Sequence, residues 1–290
     1  MVFNAARRRR GYSNWLLNLT PVLFVLSLFT VMGVFALIWS GYEAFREEFP
    51  DVGRLKKNYP VIKYNGRDKP FSVSWHRNKP DRWVGLQEIS REAIGAVLVS
   101  EDWAFFSHDG YDANQIKEAL KDSMEEGHLT RGASTITQQV VKNVFLARDR
   151  NLWRKLKELM LAVQLEDTVG KRRILETYLN IAEWGEGIFG IGAAASFYFH
   201  KAPSQLTAKE GAFLAMLLPS PKRYSQSYRD RRLTDYARST IRAIMQKMEK
   251  ANYLSSDERA RAQITPLWFE DSGTESAAET LEPSEESSAI

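Results

Sequence analysis

The stretch Ser100-Glu101-Asp102-Trp103-Ala104-Phe105-Phe106-Ser107-His108-Asp109-Gly110 decides how the rest of this chain is read. It follows an apolar run from Ile94 to Val99, so two adjacent carboxylates stand where a buried segment ends, beside aromatics, a histidine and a turn glycine. A carboxylate at the mouth of a partly apolar cleft loses hydration, and its pKa rises towards the range a general acid or base needs. On its own, Glu101-Asp102 reads first as solvated charge at a helix end. A catalytic reading needs partners elsewhere in the chain.

Towards the N-terminus, Arg7-Arg8-Arg9-Arg10 is followed by no charged residue until Glu43. Within that gap Pro21 to Trp39 is mostly Val, Leu, Phe, Ile and Met, long enough to cross a bilayer as a helix. Trp15, Trp39 and Tyr42 sit at its ends, where amphipathic rings favour the interface. The run exceeds the ~7–15 residues of a signal-peptide core, and no Ala-x-Ala site follows it. Four arginines precede the span, whereas Glu43, Glu47 and Glu48 with Arg46 follow it, which predicts a cytoplasmic N-terminus. The expected organisation is a basic N-terminus (1–20), a transmembrane helix (21–41), an extracytoplasmic connector with four prolines (42–82), a main domain (83–253) and a C-terminal segment (254–290). That last segment carries seven acids and no Lys or Arg from Glu270 onward, so it is expected to be disordered and dispensable after Phe269. The net charge of +4 therefore hides a more basic body, suited to phospholipid, pyrophosphate or nucleic acid. With no cysteine, disulfides and cysteine-ligated metals are excluded.

Downstream, helical spacing predominates. Leu86 to Val99, Tyr111 to Glu126, Lys171 to Asn180, Leu206 to Leu218 and Arg231 to Tyr253 are all expected helices. In Arg131-Gly132-Ala133-Ser134-Thr135-Ile136-Thr137-Gln138-Gln139, a glycine and hydroxyls precede an amphipathic run. That pattern suits either an ordinary N-cap or a loop offering N–H groups and hydroxyls to an anion. Asn151 to Glu166 is the clearest amphipathic helix, with Leu152, Leu156, Leu159, Met160 and Val163 expected to face the core. Arg150, Arg154, Lys157 and Glu158 gather on another side, as a surface ladder or as a cationic shelf for phosphate.

Several of these stretches together resemble the glycosyltransferase family that polymerises peptidoglycan from a lipid-linked disaccharide, most closely its monofunctional membrane-anchored members. The first family motif, Glu-Asp-x-x-Phe-x-x-His-x-Gly, is filled by Glu101, Asp102, Phe105, His108 and Gly110. The second, Gly-x-Ser-Thr-Ile-Thr-Gln-Gln, falls on Gly132 and Ser134 to Gln139, with Lys142 following. The third, Arg-Lys-x-x-Glu, falls on Arg154, Lys155 and Glu158, and the fourth reads Ile174 to Asn180. Two departures stand out: His200 where Tyr-Phe-Gly-Lys is usual, and Ala133 where a second glycine is common. The Ser-x-x-Lys and Lys-Thr-Gly motifs of a penicillin-binding transpeptidase are absent, so a monofunctional enzyme is expected.

The resemblance implies a mainly α, lysozyme-like helical domain with a smaller membrane-proximal lobe, preceded by one N-terminal transmembrane helix. It implies Glu101 as the general base in an inverting transfer from an undecaprenyl-pyrophosphate glycan to lipid II, forming a β-1,4 bond. Lys142, Arg150, Arg154 and Lys157 would seat the pyrophosphate. Glu158 would orient them or hold Mg²⁺ or another divalent cation, and Ser134, Thr135 and Gln138 would line the substrate cleft. The expected partners are lipid II, the growing glycan and the bacterial inner membrane, with cell-wall synthesis or division proteins as further candidates and no nucleic acid. The catalytic domain is expected on the periplasmic side. A wall-cleaving muramidase or lytic transglycosylase, and an inactive membrane scaffold, are the competing readings.

Overall fold

A computed structural model describes residues 11–47, 49–66, 71–114, 117, 134–146 and 152–270. Arg150, Gly132, Ala133, most of the helix expected over Tyr111–Glu126 and the acidic tail beyond Glu270 lie outside these residues. The chain divides into two units, residues 1–51 and 52–290. The first contains helix α1, Gly11–Glu47, whose segment Leu23–Gly41 has a mean hydropathy of 2.3 and no buried residues. Such a segment is long and apolar enough to cross a bilayer.

The second unit is mainly helical, consistent with the lysozyme-like domain that the resemblance implies. Its helices are α2 (Arg91–Glu101), α3 (Ile136–Val144), α4 (Leu152–Val169), α5 (Lys171–Ile181), α6 (Ile191–Phe199), α7 (Ala208–Leu217), α8 (Pro221–Tyr224), α9 (Gln226–Arg229), α10 (Asp235–Lys250) and α11 (Ser256–Ile264). Two small antiparallel hairpins accompany them: β1 (Tyr59–Lys63) with β2 (Ser72–His76), in the register Tyr59 to His76, and β3 (Glu183–Gly185) with β4 (Ile188–Phe189).

Helix α2 lies at the centre, packed against α7 and α10. Ala93 faces Gly211 of α7 so closely that a Cβ on the glycine would stand 2.7 Å from the Ala93 Cα. Small residues at this crossing let two buried helices approach at backbone distance, where dispersion contacts are densest. Helix α3 packs against both α4 and α5. Its N-terminus is closed by a capping box in which the Thr135 hydroxyl accepts from Gln138 N–H and the Gln138 side chain accepts from Thr135 N–H.

The part of the expected connector from Val52 onward packs on the helical body. A 3₁₀ turn at Val52–Lys56 packs against α4, and β1 packs against α5. The Arg173 guanidinium fastens this segment by donating to the carbonyls of Leu55 and Asn58 and stacking on Tyr59 and Trp83. The proline spacing concealed this because the attachment comes from one distant arginine. The C-terminal boundary shifts too. Phe269 is buried against Phe199, Phe213 and Tyr228, and the Glu270 carboxylate accepts from Leu267 N–H. A truncation that spares the fold therefore belongs after Glu270, one residue later than expected.

Helix α4 corrects a second expectation. It buries Glu158, Leu161, Ala162 and Leu165, whereas Leu156 and Met160 are exposed beside Trp153. The helix is apolar on two sides, so periodicity alone could not say which side faces inward. The buried side is the one whose acid has cationic partners. His200 explains itself: it caps α6 in the left-handed region, at φ 54°, where glycine is the residue without a Cβ penalty, and its ring packs 4.8 Å from that of Trp268.

Gly110 has a stricter requirement. Its φ is +89°, and a Cβ there would lie 2.7 Å from the carbonyl carbon of Ala162 in α4. Gly110→Ala combines backbone strain with a clash against main chain that has no rotamer to yield. We expect it to destabilise the body by more than about 2 kcal/mol, measurable as a lowered denaturation midpoint.

Candidate active site

Helix α2 starts at Ser90, whose hydroxyl accepts from Ala93 N–H, and delivers Glu101 in its final turn. The chain then leaves the helical region at Asp102, and the two carboxylates take different directions. Asp102 is fully buried and accepts the Ile136 N–H at 2.9 Å, at the first turn of α3. Its other oxygen lies 3.0 Å from His108 Nε2, which donates to it. Thr135 donates to the Gly110 carbonyl at 2.7 Å, and Gly110 rests on α4. Residues 102–110 therefore join α2, α3 and α4 at one point. Below them Glu166 accepts from Thr137 at 2.5 Å and from Lys171 at 2.7 Å, and Lys171 also donates to the His108 carbonyl.

Glu101 occupies the open side of this junction. Burial pushes its carboxyl pKa up, opposed by a hydrogen bond from Gln139, the positive charge of Lys142 and the nearby Tyr178 hydroxyl. Gln139 Nε2 donates to Glu101 Oε2 at 2.9 Å, and the Tyr178 hydroxyl donates to the Gln139 carbonyl oxygen at 3.3 Å. Tyr178 itself is buried, and desolvation followed by the nearby Glu101 charge holds its phenol well above the ordinary range. A neutral phenol is thus available as a donor throughout the working pH range. The arrangement fixes a carboxylate that is aimed but reluctant to ionise, the condition under which a carboxylate takes up a proton near neutral pH.

The cations lie on α3 and α4. Glu158 is buried and accepts from Arg154 at 2.8 Å and from Lys155, whose ammonium also reaches the Ser134 hydroxyl at 3.2 Å. Lys142 has an exposed side chain, but burial around its ammonium lowers its pKa. The charges of Glu158 and Glu101 oppose that fall, while Lys155 and Arg154 add to it. Lys142 therefore interacts with both carboxylates and links the base to the cation cluster. Three cations with one buried acid leave a positive surplus, which suits a phosphate.

A family model described as Transglycosylase matches residues 68–249, a range that includes every side chain just described. The chain belongs to the transglycosylase family. A Nitrosomonas eutropha protein named biosynthetic peptidoglycan transglycosylase is 42% identical over 230 residues, 78% of this chain and 88% of that protein. A Paraburkholderia xenovorans protein of the same name is 36% identical over 229 residues, 77% of this chain and 92% of its own length. Among solved structures, penicillin-binding protein 1A from Haemophilus influenzae aligns with a TM-score of 0.35 and 20% identity, over 72% of this chain and 21% of that one.

Within this transglycosylase the structure brings Glu101, Lys142, Arg154, Glu158 and Ser134 together through the contacts above. One expectation is corrected. Thr135 and Gln138 are buried and bond within the α3 cap and to Gly110, so they support the cleft instead of lining it. Of the two roles expected for Glu158, its contacts fit the orienting one, since each of its oxygens accepts from a cation. No cluster of three metal-ligating side chains occurs among the described residues. Lys157 places its ammonium 5.3 Å from the Trp153 ring centroid.

Three residues were missed as site residues although the motifs contain them: Gln139, Lys155 and Tyr178. Lys155 and Lys157 both fall within four residues of Glu158, and only coordinates show that Lys155 bonds to it. Gln139 carries a testable role. Gln139→Leu removes a bond to the ionised form of Glu101, so the acid limb of the kcat/KM profile is expected to move to higher pH. Tyr178→Phe is expected to move it in the same direction by less. A pH series on both variants checks this, and an unmoved limb with only lowered protein yield would leave Gln139 a packing residue.

Proposed function

We propose that this protein polymerises peptidoglycan glycan strands from lipid II, with Glu101 as general base. The observation that carries the proposal is the half-buried Glu101 carboxyl, its pKa raised, held by Gln139 and linked through Lys142 to the cluster of Arg154, Lys155 and Glu158. Glu101 takes the proton of the acceptor sugar hydroxyl as that oxygen attacks the anomeric carbon of the donor. The α-linked bond to pyrophosphate breaks, a β-1,4 bond forms, and undecaprenyl pyrophosphate leaves with the electron pair. A pyrophosphate is already a good leaving group, so it needs cations more than an acid. Lys142, Arg154 and Lys155 supply them, and Glu158 fixes the last two in place. A divalent ion at the pyrophosphate would have to arrive with the substrate.

The apolar segment Leu23–Gly41 supports membrane anchoring. The arginines before it and the acids after it favour a cytoplasmic N-terminus and a catalytic body outside the inner membrane. Exposed Trp153, Leu156 and Met160, one helical face beside the cations, suit a substrate with a lipid tail.

Purified full-length protein incubated with lipid II is expected to yield glycan strands. Finished sacculi, incubated separately, are expected to stay intact. Soluble fragments from the sacculi with no polymer from lipid II would replace this reading by a lytic one. Lys142→Ala and Lys155→Ala are each expected to weaken lipid II binding by roughly tenfold, because each removes one charge-assisted contact to phosphate.

A further inference from the structure

Away from the catalytic cleft, the end of α7, helices α8 and α9 and the start of α10 line a half-open pocket of about 440 Å³. It is lined by Met216, Arg223, Tyr224, Gln226, Arg229, Thr234 and Tyr236, none of which belongs to the site above. Its size is that of a small-ligand pocket. The segment around it is predominantly basic: seven Lys or Arg against two Asp occur from Lys222 to Arg242. No carboxylate among the described residues pairs with Arg223, whose guanidinium lies 5.8 Å from the centroid of Tyr224. Tyr224 and Tyr236 stack at 4.7 Å and 22°. Tyr236 remains 48% exposed.

The walls are held by groups already committed to one another. Arg229 donates to the Ser225 hydroxyl, the Lys222 carbonyl and the Gln226 amide oxygen. Buried Ser227 accepts from Thr234 N–H and closes the turn between α9 and α10, in which Arg231 adopts φ 50°. The cavity is therefore preformed. Arg223 and the face of Tyr236 turned away from Tyr224 remain for a ligand. A guanidinium beside an aromatic face recognises a carboxylate on a body that can stack, such as a sugar.

We infer that this cavity binds the finished glycan strand through the carboxylates of its peptide stems, a second site for an acidic glycopeptide. The inference rests on the polymerase reading given above. An anionic bilayer is the less suitable occupant. A membrane-surface site needs apolar side chains at its rim, and from Lys222 to Arg242 Tyr236 is the one large exposed apolar residue among those described.

The test titrates full-length protein in detergent with muropeptide fragments released from sacculi, and in parallel with fragments whose carboxylates have been amidated. Arg223→Ala and Tyr236→Ala are each expected to weaken binding of the acidic fragments by roughly tenfold. The initial rate of lipid II polymerisation should be unchanged. Arg223→Glu should abolish the binding, and the amidated fragments should bind all forms weakly. Equal affinity of wild type and Arg223→Ala would overturn the inference, as would absence of fragment binding to wild type. The same proteins are also titrated with vesicles containing anionic phospholipid, and a loss in the variants confined to vesicle binding would assign the patch to the membrane and equally overturn it. If wild type makes strands from lipid II while these variants bind product normally, this inference alone fails. If wild type makes no strands, the polymerase reading fails with it.

Discussion

Glu101→Gln is expected to reduce glycan polymerisation by ~10²-fold or more and at the same time to raise the melting temperature. The first effect follows from removing the proton acceptor while keeping a side chain of the same shape, which Gln139 and Tyr178 can still hold. Lipid II binding should persist, since the cations on α3 and α4 are untouched. The second effect follows from the sign of the pKa shift. Burial raises the Glu101 pKa in the folded protein above its unfolded value. Its contribution to stability is thus fully present below the unfolded pKa and is lost as pH rises through the folded one. At neutral pH the ionised carboxylate costs stability that a neutral amide does not. Melting curves of the two proteins should separate at pH 7 and converge below the usual carboxylate range. A variant that is inactive and also less stable at pH 7 would make Glu101 a structural residue.

Asp102→Ala is expected to do the opposite to stability, although it changes the adjacent carboxylate. Asp102 accepts from the N–H of buried Ile136 and from His108, whose side chain is 8% exposed. Removing it leaves two donors without a partner and no water to replace it, at a cost on the order of 3 kcal/mol. At roughly 2–4 °C per kcal/mol for a domain of this size, the fall should be plain in a thermal melt. Activity should drop as well, because Asp102 holds the start of α3 against the end of α2, and Gln139 on α3 aims Glu101. An unchanged melting temperature would contradict the assignment of Asp102 as the bond between the two helices.

The contrast between these neighbours shows what the sequence makes legible. The order of the motifs singled out Glu101 for the base, and the structure sets it beside Gln139 and turns Asp102 towards Ile136 and His108, a division of the two carboxylates that adjacent positions could not show. The longer helices α2, α4, α5, α7 and α10 followed from periodicity, with ends shifted by a few residues, whereas the short α8 and α9 and the polar helix α11 (Ser256–Ile264), which has no buried residue, were not expected. What could not be read was orientation. The pattern of α4 is apolar on two faces, so the sequence alone turned Leu156 and Met160 inward, where the structure buries Glu158. Thr135 and Gln138 looked like cleft residues because a capping box and an anion-binding loop use the same residue types. Arg173, which sews residues 52–83 to α5, had no local signal, since its partners lie more than ninety residues away in the chain.

The outward face of α4 bears on how the protein can be handled. Trp153, Leu156 and Met160 stay exposed on the catalytic body itself, separate from the apolar segment of α1. Deleting residues 1–51 should therefore not give a fully soluble enzyme. The truncated protein is expected to self-associate in plain buffer and to become monodisperse in mild detergent or after Leu156→Gln and Met160→Gln. Light scattering across a detergent series would show it, and the same two substitutions offer a practical route to crystals of the body alone.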